Sequence, residues 1–287
     1  MIAPASPPLG SAARTRPRLR PTVRELAPAL LAGSWVLAQI AYPLTSSVAR
    51  DRITVLIVLL SAATALTHAA TTRGARFAIG LLVAVSGVGL VAEIIGTTTG
   101  YPFGCYAYAT AGLGPAVAGV PLVIALAWTG GLYPVWMVAG AVADRTSNRI
   151  ALTAVGAVGW DLFLDPQMVA DGRWTWCDEG SGLPGLPAIP YTNYLGWFAV
   201  ALLMAVLLTT LARRFPPLSD PAPTAMFVPI AVFLWTWFGS ILAHAVFLGL
   251  PRSAAYGGVG FGILGVGLLW RSRRRGPLLR ADRDPLP

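Results

Sequence analysis

Apolar runs of about 20 residues, divided by short polar breaks, recur along almost the whole chain. A helix that crosses a bilayer needs about 20 mainly apolar residues, and the pattern predicts eight such helices: 26–44, 53–70, 77–96, 119–142, 150–168, 194–212, 225–250 and 254–270. The runs are rich in Gly and Ala, which suits close helix packing in lipid. Gly130, Gly131 and Pro134 interrupt the fourth run and predict a break or a re-entrant turn there. We find no internal repeat. The expected fold class is therefore all-α: a polytopic membrane protein of about eight transmembrane helices. Its single helical membrane domain covers 26–270, flanked by basic, disordered cytoplasmic tails at 1–25 and 271–287.

Composition and charge support this reading. Of 287 residues, 55% are hydrophobic and 11% charged, against roughly 25% charged in soluble domains. The net charge is +9, and all 21 basic residues are arginines. Clusters at Arg14–Arg24 and Arg271–Arg283 flank the outermost spans, where basic residues mark the cytoplasmic side; nucleic acid is not an expected partner. With both termini inside, 17 arginines fall inside and four (Arg50, Arg52, Arg173, Arg252) outside. That split predicts a multi-pass protein of the cell membrane, a bacterial plasma membrane by this reading.

The same orientation sorts the loops. Inside connections are short and basic. Two outside connections, 96–114 and 170–193, are long and rich in Gly, Pro and aromatic residues, more like a lid or substrate mouth than tethers. Cys105 and Cys177 fall one in each, where a disulfide is chemically permitted; spacing does not decide whether they pair. With only these two cysteines and no His/Cys ligand cluster, no metal site is expected.

Acidic residues inside apolar runs are costly and usually face a protein-lined cavity. Asp161 and Asp165 stand one turn apart on one helix face, and Glu93 lies on another run. At about 1.5 Å per residue, Asp161 sits roughly 18 Å above the inner edge, Asp165 and Glu93 roughly 24 Å, and His244 roughly 27 Å, in a core about 30 Å thick. Four titratable groups from three spans thus share the outer half of the bilayer, under the long loops. Each has a plainer reading: Asp161 a structural hydrogen bond, Asp165 before Pro166 a helix end at the interface, Glu93 a solvated end, His244 a packed histidine. His68 reads as structural; Asp144, Asp171, Asp178 and Glu179 read as solvated loop charges. Trp160, Trp174, Trp176, Tyr191, Tyr194 and Trp197 bracket the acid pair, and Tyr101, Tyr106 and Tyr108 lie in the first loop. They suit either an interfacial aromatic belt or a pocket whose ring faces stabilise a cation.

Glu93 followed by Gly96-Thr-Thr-Thr-Gly100-Tyr-Pro-Phe-Gly104-Cys-Tyr106-Ala-Tyr108 resembles a motif of the membrane carotenoid biosynthesis family, which includes carotenoid 1′,2′-hydratases and bisanhydrobacterioruberin hydratases. The likeness continues in Asp161-Leu-Phe-Leu-Asp165-Pro166, Trp174-Thr-Trp176 and Pro190-Tyr-Thr-Asn193-Tyr-Leu-Gly196-Trp197, over roughly residues 80–265. One departure is Leu183-Pro-Gly-Leu-Pro-Ala-Ile-Pro190, longer than the family's Gly-Ile-Pro approach to the Asn, which points to a different substrate end-group.

The resemblance implies addition of water across the terminal C1′=C2′ bond of an acyclic carotenoid, a hydro-lyase reaction without cofactor. Protonating the CH carbon leaves a tertiary carbocation that water captures. A buried carboxylic acid beside a second carboxylate can supply the proton. On this reading Asp161 is the donor, Asp165 or Glu93 its partner and water-orienting base, and Asn193 and Tyr101 hold the water. Tyr106, Trp160, Trp174, Trp176, Trp197 and His244 complete the substrate site. Expected partners are the carotenoid, water, the lipid bilayer and other enzymes of the pathway. Three rivals stay open. A carotenoid cyclase starts from the same protonation; a polyprenyl transferase would use Asp161-x-x-x-Asp165 as half of a diphosphate motif; a proton-coupled transporter also needs intramembrane acids.

Overall fold

The structure is a computed structural model that describes residues 23–109, 112–177, 181–218 and 225–274. Most of both expected tails, with Asp178 and Glu179, lies outside the described residues.

The chain forms α1 (Val23–Ala41), α2 (Ser47–Arg73), α3 (Ala75–Leu82) and α4 (Val88–Thr99), the last two continuous through a π turn at Val83–Gly87. Then come α5 (Leu122–Val142), α6 (Thr146–Ala170), α7 (Tyr191–Arg214), α8 (Phe227–Leu242) with a π turn at Ala243–Phe247, and α9 (Pro251–Arg274). Seven of these helical bodies are long and apolar enough to cross a membrane. The exception is α6, 25 residues long but carrying Arg149, Asp161 and Asp165. It packs against α5, α7 and α9, so protein rather than lipid receives its polar face. Outward-facing apolar side chains such as Leu37, Val83, Leu195 and Val259 are what a lipid-facing surface requires.

The break expected in the fourth run does not occur. α5 is continuous through Gly130, Gly131 and Pro134. The glycines serve packing: a Cβ at Gly131 would come within 2.3 Å of the Trp160 ring, and one at Gly130 within 2.2 Å of the Ser61 hydroxyl. Nor does α6 stop at Asp165; it runs through Pro166 to Ala170.

The bundle has two unlike ends. At the arginine-rich end the connections are tight. Arg73 donates to the carbonyls of Ala212 and Phe215 (3.2 and 2.9 Å), the Leu218 amide to Thr72 O (3.0 Å), and Arg271 pairs with Asp144 (2.5 Å). At the other end, the long loops add three two-stranded antiparallel ribbons to the helical fold. β1 (Tyr106–Tyr108) pairs with β4 (Trp174–Trp176), β2 (Ala116–Val117) with β3 (Val120–Pro121), and β5 (Gly182–Leu183) with β6 (Leu186–Pro190). A Cys105–Cys177 disulfide closes the β1–β4 ribbon. Asp171, read from the sequence as solvated, is instead held by Arg50 (2.8 Å) and by the Tyr42 hydroxyl, while Arg173 pairs with Asp51. These bonds fasten the second loop to the α1–α2 corner.

Candidate active site

Glu93 lies midway along α4, 4% exposed. Three donors converge on its carboxylate: Tyr106 Oη at 2.5 Å, Tyr108 Oη at 2.7 Å and Trp128 Nε1 at 3.0 Å. In a strand, residues i and i+2 face the same way, so β1 presents both phenols to α4 together. Gly96, one turn past Glu93, makes room: a Cβ there would meet the Tyr106 hydroxyl at 2.7 Å. Burial, and next the adjoining Glu93 carboxylate, push both phenols well above their ordinary range. They therefore stay protonated and donate. Glu93 thus acts as the acceptor that seats the first loop on the bundle.

Asp161 and Asp165 project from α6 towards the first turn of α7. The Asn193 amide bridges them, its Nδ2 lying 2.9 Å from Asp161 Oδ2 and 2.5 Å from Asp165 Oδ2. The two acids differ in what else they meet. Asp161 is fully enclosed (0% exposed), and its Oδ1 has no hydrogen-bond partner among the described residues. Nearby, α6 and α9 touch backbone to backbone, since a Cβ on Gly159 would come within 2.7 Å of the Gly260 carbonyl carbon. Asp165, one turn on and 3% exposed, lines a cavity of about 150 Å³.

Besides Glu93, Asp165 and Asn193, residues of α1, α2 and α8 line that cavity, among them Trp35, Val58 and Val232. Aromatic rings gather on its wall near the acids. Trp128 stacks on Trp197 with ring centres 3.9 Å apart, Trp160 meets Trp197 edge-on at 5.5 Å, and Tyr106 stacks on Trp176 at 5.7 Å. Of the residues singled out in the sequence, Glu93, Asp165, Asn193, Tyr106, Trp160, Trp174, Trp176, Trp197 and His244 all line it. Asp161 stands behind Asp165 and does not. Tyr101 is 78% exposed at the loop surface, away from the lining; two residues on, Phe103 is buried again. Sequence reasoning missed Trp128 and Gln167. It named Tyr108 among the loop aromatics, as belt or pocket, but gave it no place in the site.

A buried acid that opens on one side into a cavity lined by aromatic rings can protonate an apolar ligand, and ring faces can stabilise a cation formed there. The profile of the carotenoid biosynthesis protein family matches residues 53–264, a stretch that contains Glu93, Asp161, Asp165, Asn193 and His244. Among curated proteins, the chain is 27% identical over 188 residues to a bisanhydrobacterioruberin hydratase of Haloarcula japonica; the match covers 63% of this chain and 59% of that protein's length. No solved structure matches. The extent of the profile match places the assignment beyond a shared motif: this chain belongs to the carotenoid biosynthesis protein family.

Proposed function

We propose that this protein hydrates the terminal C1′=C2′ bond of an acyclic carotenoid. Eight helices, α6 among them, would span the cell membrane with both termini in the cytoplasm and the acid end facing outward. The polyene lies between helices, its end reaching Asp165. The observation that carries this reading is one member of a bridged, buried carboxyl pair opening into a cavity lined by aromatic rings. Asp165 gives its proton to the CH carbon of the alkene. A proton held between the two carboxyl groups satisfies the Asp161 oxygen that otherwise lacks a donor. The tertiary carbocation is stabilised by the faces of Trp160, Trp197 and Tyr106 and by the fixed Glu93 carboxylate. Water capture then gives the tertiary alcohol, and no step calls for a cofactor. The donor is Asp165 rather than Asp161, because only Asp165 reaches the cavity; Asp161 becomes its partner.

A cyclase would use the same aromatic rings but must exclude water. Gln167 and His244 on the cavity wall favour capture by water. The deciding experiment is co-expression with a lycopene-type substrate and with an elongated C50 one, followed by mass analysis. A gain of one water is expected. An unchanged profile with several acyclic substrates rejects hydration, and an isomeric ring-containing product favours the cyclase.

A further inference from the structure

Water capture releases a proton, and the acid cluster is not the only group placed to receive it. His244 is 1% exposed and lines the same cavity from the α8 side. It sits in the π turn Ala243–Phe247, a local widening that re-aims side chains and recurs at functional sites. Its ring belongs to a chain of hydrogen bonds whose directions can be counted. Ser253 Oγ donates to Leu162 O at 2.7 Å, and His244 Nδ1 lies 2.8 Å from that same oxygen. A hydroxyl has one proton, so the serine must accept from Nδ1–H. On the other edge, Gln167 Oε1 faces His244 Nε2 at 3.1 Å. A carbonyl oxygen only accepts, so Nε2 must donate as well. Every bond in the chain is made only when both ring nitrogens carry protons. A neutral ring leaves one bond unmade.

We infer that His244 is the base that takes the proton from the captured water, with Ser253 positioning its ring; this rests on the hydration proposed above. Ser253 is fully buried and no part of the cavity wall, whereas Gln167 and His244 both line it. The Nε2 edge is therefore the one that faces the substrate. In the neutral state this edge is free to meet a water between the ring and the alkene. As the C–O bond forms, an O–H bond of the water breaks and its proton passes to Nε2. The products are the alcohol, an imidazolium held by Gln167 Oε1 and Ser253 Oγ, and the Asp165 carboxylate. Return of the proton from the imidazolium to Asp165 through cavity water resets the site, so atoms and charge balance. The acid and the base act from different helices, α6 and the end of α8.

The test is turnover of the full-length protein in D2O with the substrate that wild type hydrates. Wild type should give the alcohol with one carbon-bound deuterium. His244→Gln should lower alcohol formation by about 100-fold or more, while the recovered alkene gains carbon-bound deuterium. Asp165 still makes the cation, which collapses by losing a proton. That exchange also certifies a folded site. Ser253→Ala should lower kcat about tenfold with KM unchanged, the loss of roughly one hydrogen bond. Hydration by His244→Gln within about threefold of wild type overturns the inference. So does the loss of both hydration and exchange in that variant. If His244→Gln does not accumulate, Ser253→Ala decides: an unchanged kcat overturns the role, a lowered one with exchange in the recovered alkene supports it. Failure of wild type itself to add water counts against the hydratase reading and is seen before any variant is made.

Discussion

Each end of the helical bundle buries a histidine, and the two are bonded to opposite effect. His68, towards the arginine-rich end, has Nε2 2.8 Å from Ala225 O and Nδ1 2.9 Å from the Tyr133 hydroxyl. The carbonyl requires Nε2–H, and the tyrosine can donate to Nδ1, so a neutral ring completes the network. His244 has two partners as well, but both are acceptors in the chain that holds them, and its network completes only on gaining a proton. One site is finished as folded; the other is one proton short. Their surroundings agree with this. His68 borders a void of about 10 Å³, whereas His244 lines the large cavity that reaches Asp165. Burial and pairing do not separate a structural histidine from a working one here. Counting donors against acceptors does.

The sharpest way to test the contrast between the ends is to remove the acid without changing its shape. Asp165→Asn keeps the size of the side chain and can still bond to Asn193, but it has no proton to give. Product formation should fall by about 10² to 10⁴-fold, with the protein retained in the membrane, and no deuterium should enter the recovered alkene. Substantial turnover would move the donor role elsewhere in the cluster. A smaller effect is expected at the seat of the first loop. Tyr108→Phe keeps the ring that packs edge-on against Trp174 at 5.3 Å and removes one of the three donors on Glu93. About 1 kcal/mol of loop anchoring should be lost, with product formation down roughly fivefold; an unchanged rate would mean that Tyr106 and Trp128 hold Glu93 by themselves.

Most of the helical frame was legible because lipid imposes a simple rule on length and apolarity. Even α6, which carries both acids, was found from its run of Ala, Val and Leu around them. What failed depended on contacts between distant segments. Gly130, Gly131 and Pro134 look like breakers in one dimension, but Ser61 and Trp160 occupy the space the glycines leave. The i, i+4 spacing put Asp161 and Asp165 on one face. It did not say which of them opens into the cavity, because that depends on how distant segments pack around α6, α9 touching it backbone to backbone at Gly159 and Gly260. The β1–β4 ribbon is three residues long on each side, too short for alternation to stand out from loop sequence. Trp128 carries no motif: it is one aromatic in an apolar helix, and only the fold places it against Glu93.

The smallest effect on turnover is predicted at the finished end, and it is the control that gives the contrast its meaning. His68→Gln is the same substitution proposed at His244. At His68 a glutamine can keep one of the two bonds, to Ala225 O or to Tyr133 but not both at their present geometry. Losing the other costs about 1–3 kcal/mol of stability, seen as lower thermal stability in detergent and a smaller amount in the membrane. The rate per folded molecule should stay within about twofold of wild type, since neither His68 nor its partners line the cavity that holds Asp165. The two glutamine variants should therefore part by a factor of about 50 or more in turnover while losing comparable stability. Should His68→Gln slow product formation as strongly as His244→Gln, both rings would be acting through packing. The count of donors and acceptors would then have no bearing on catalysis.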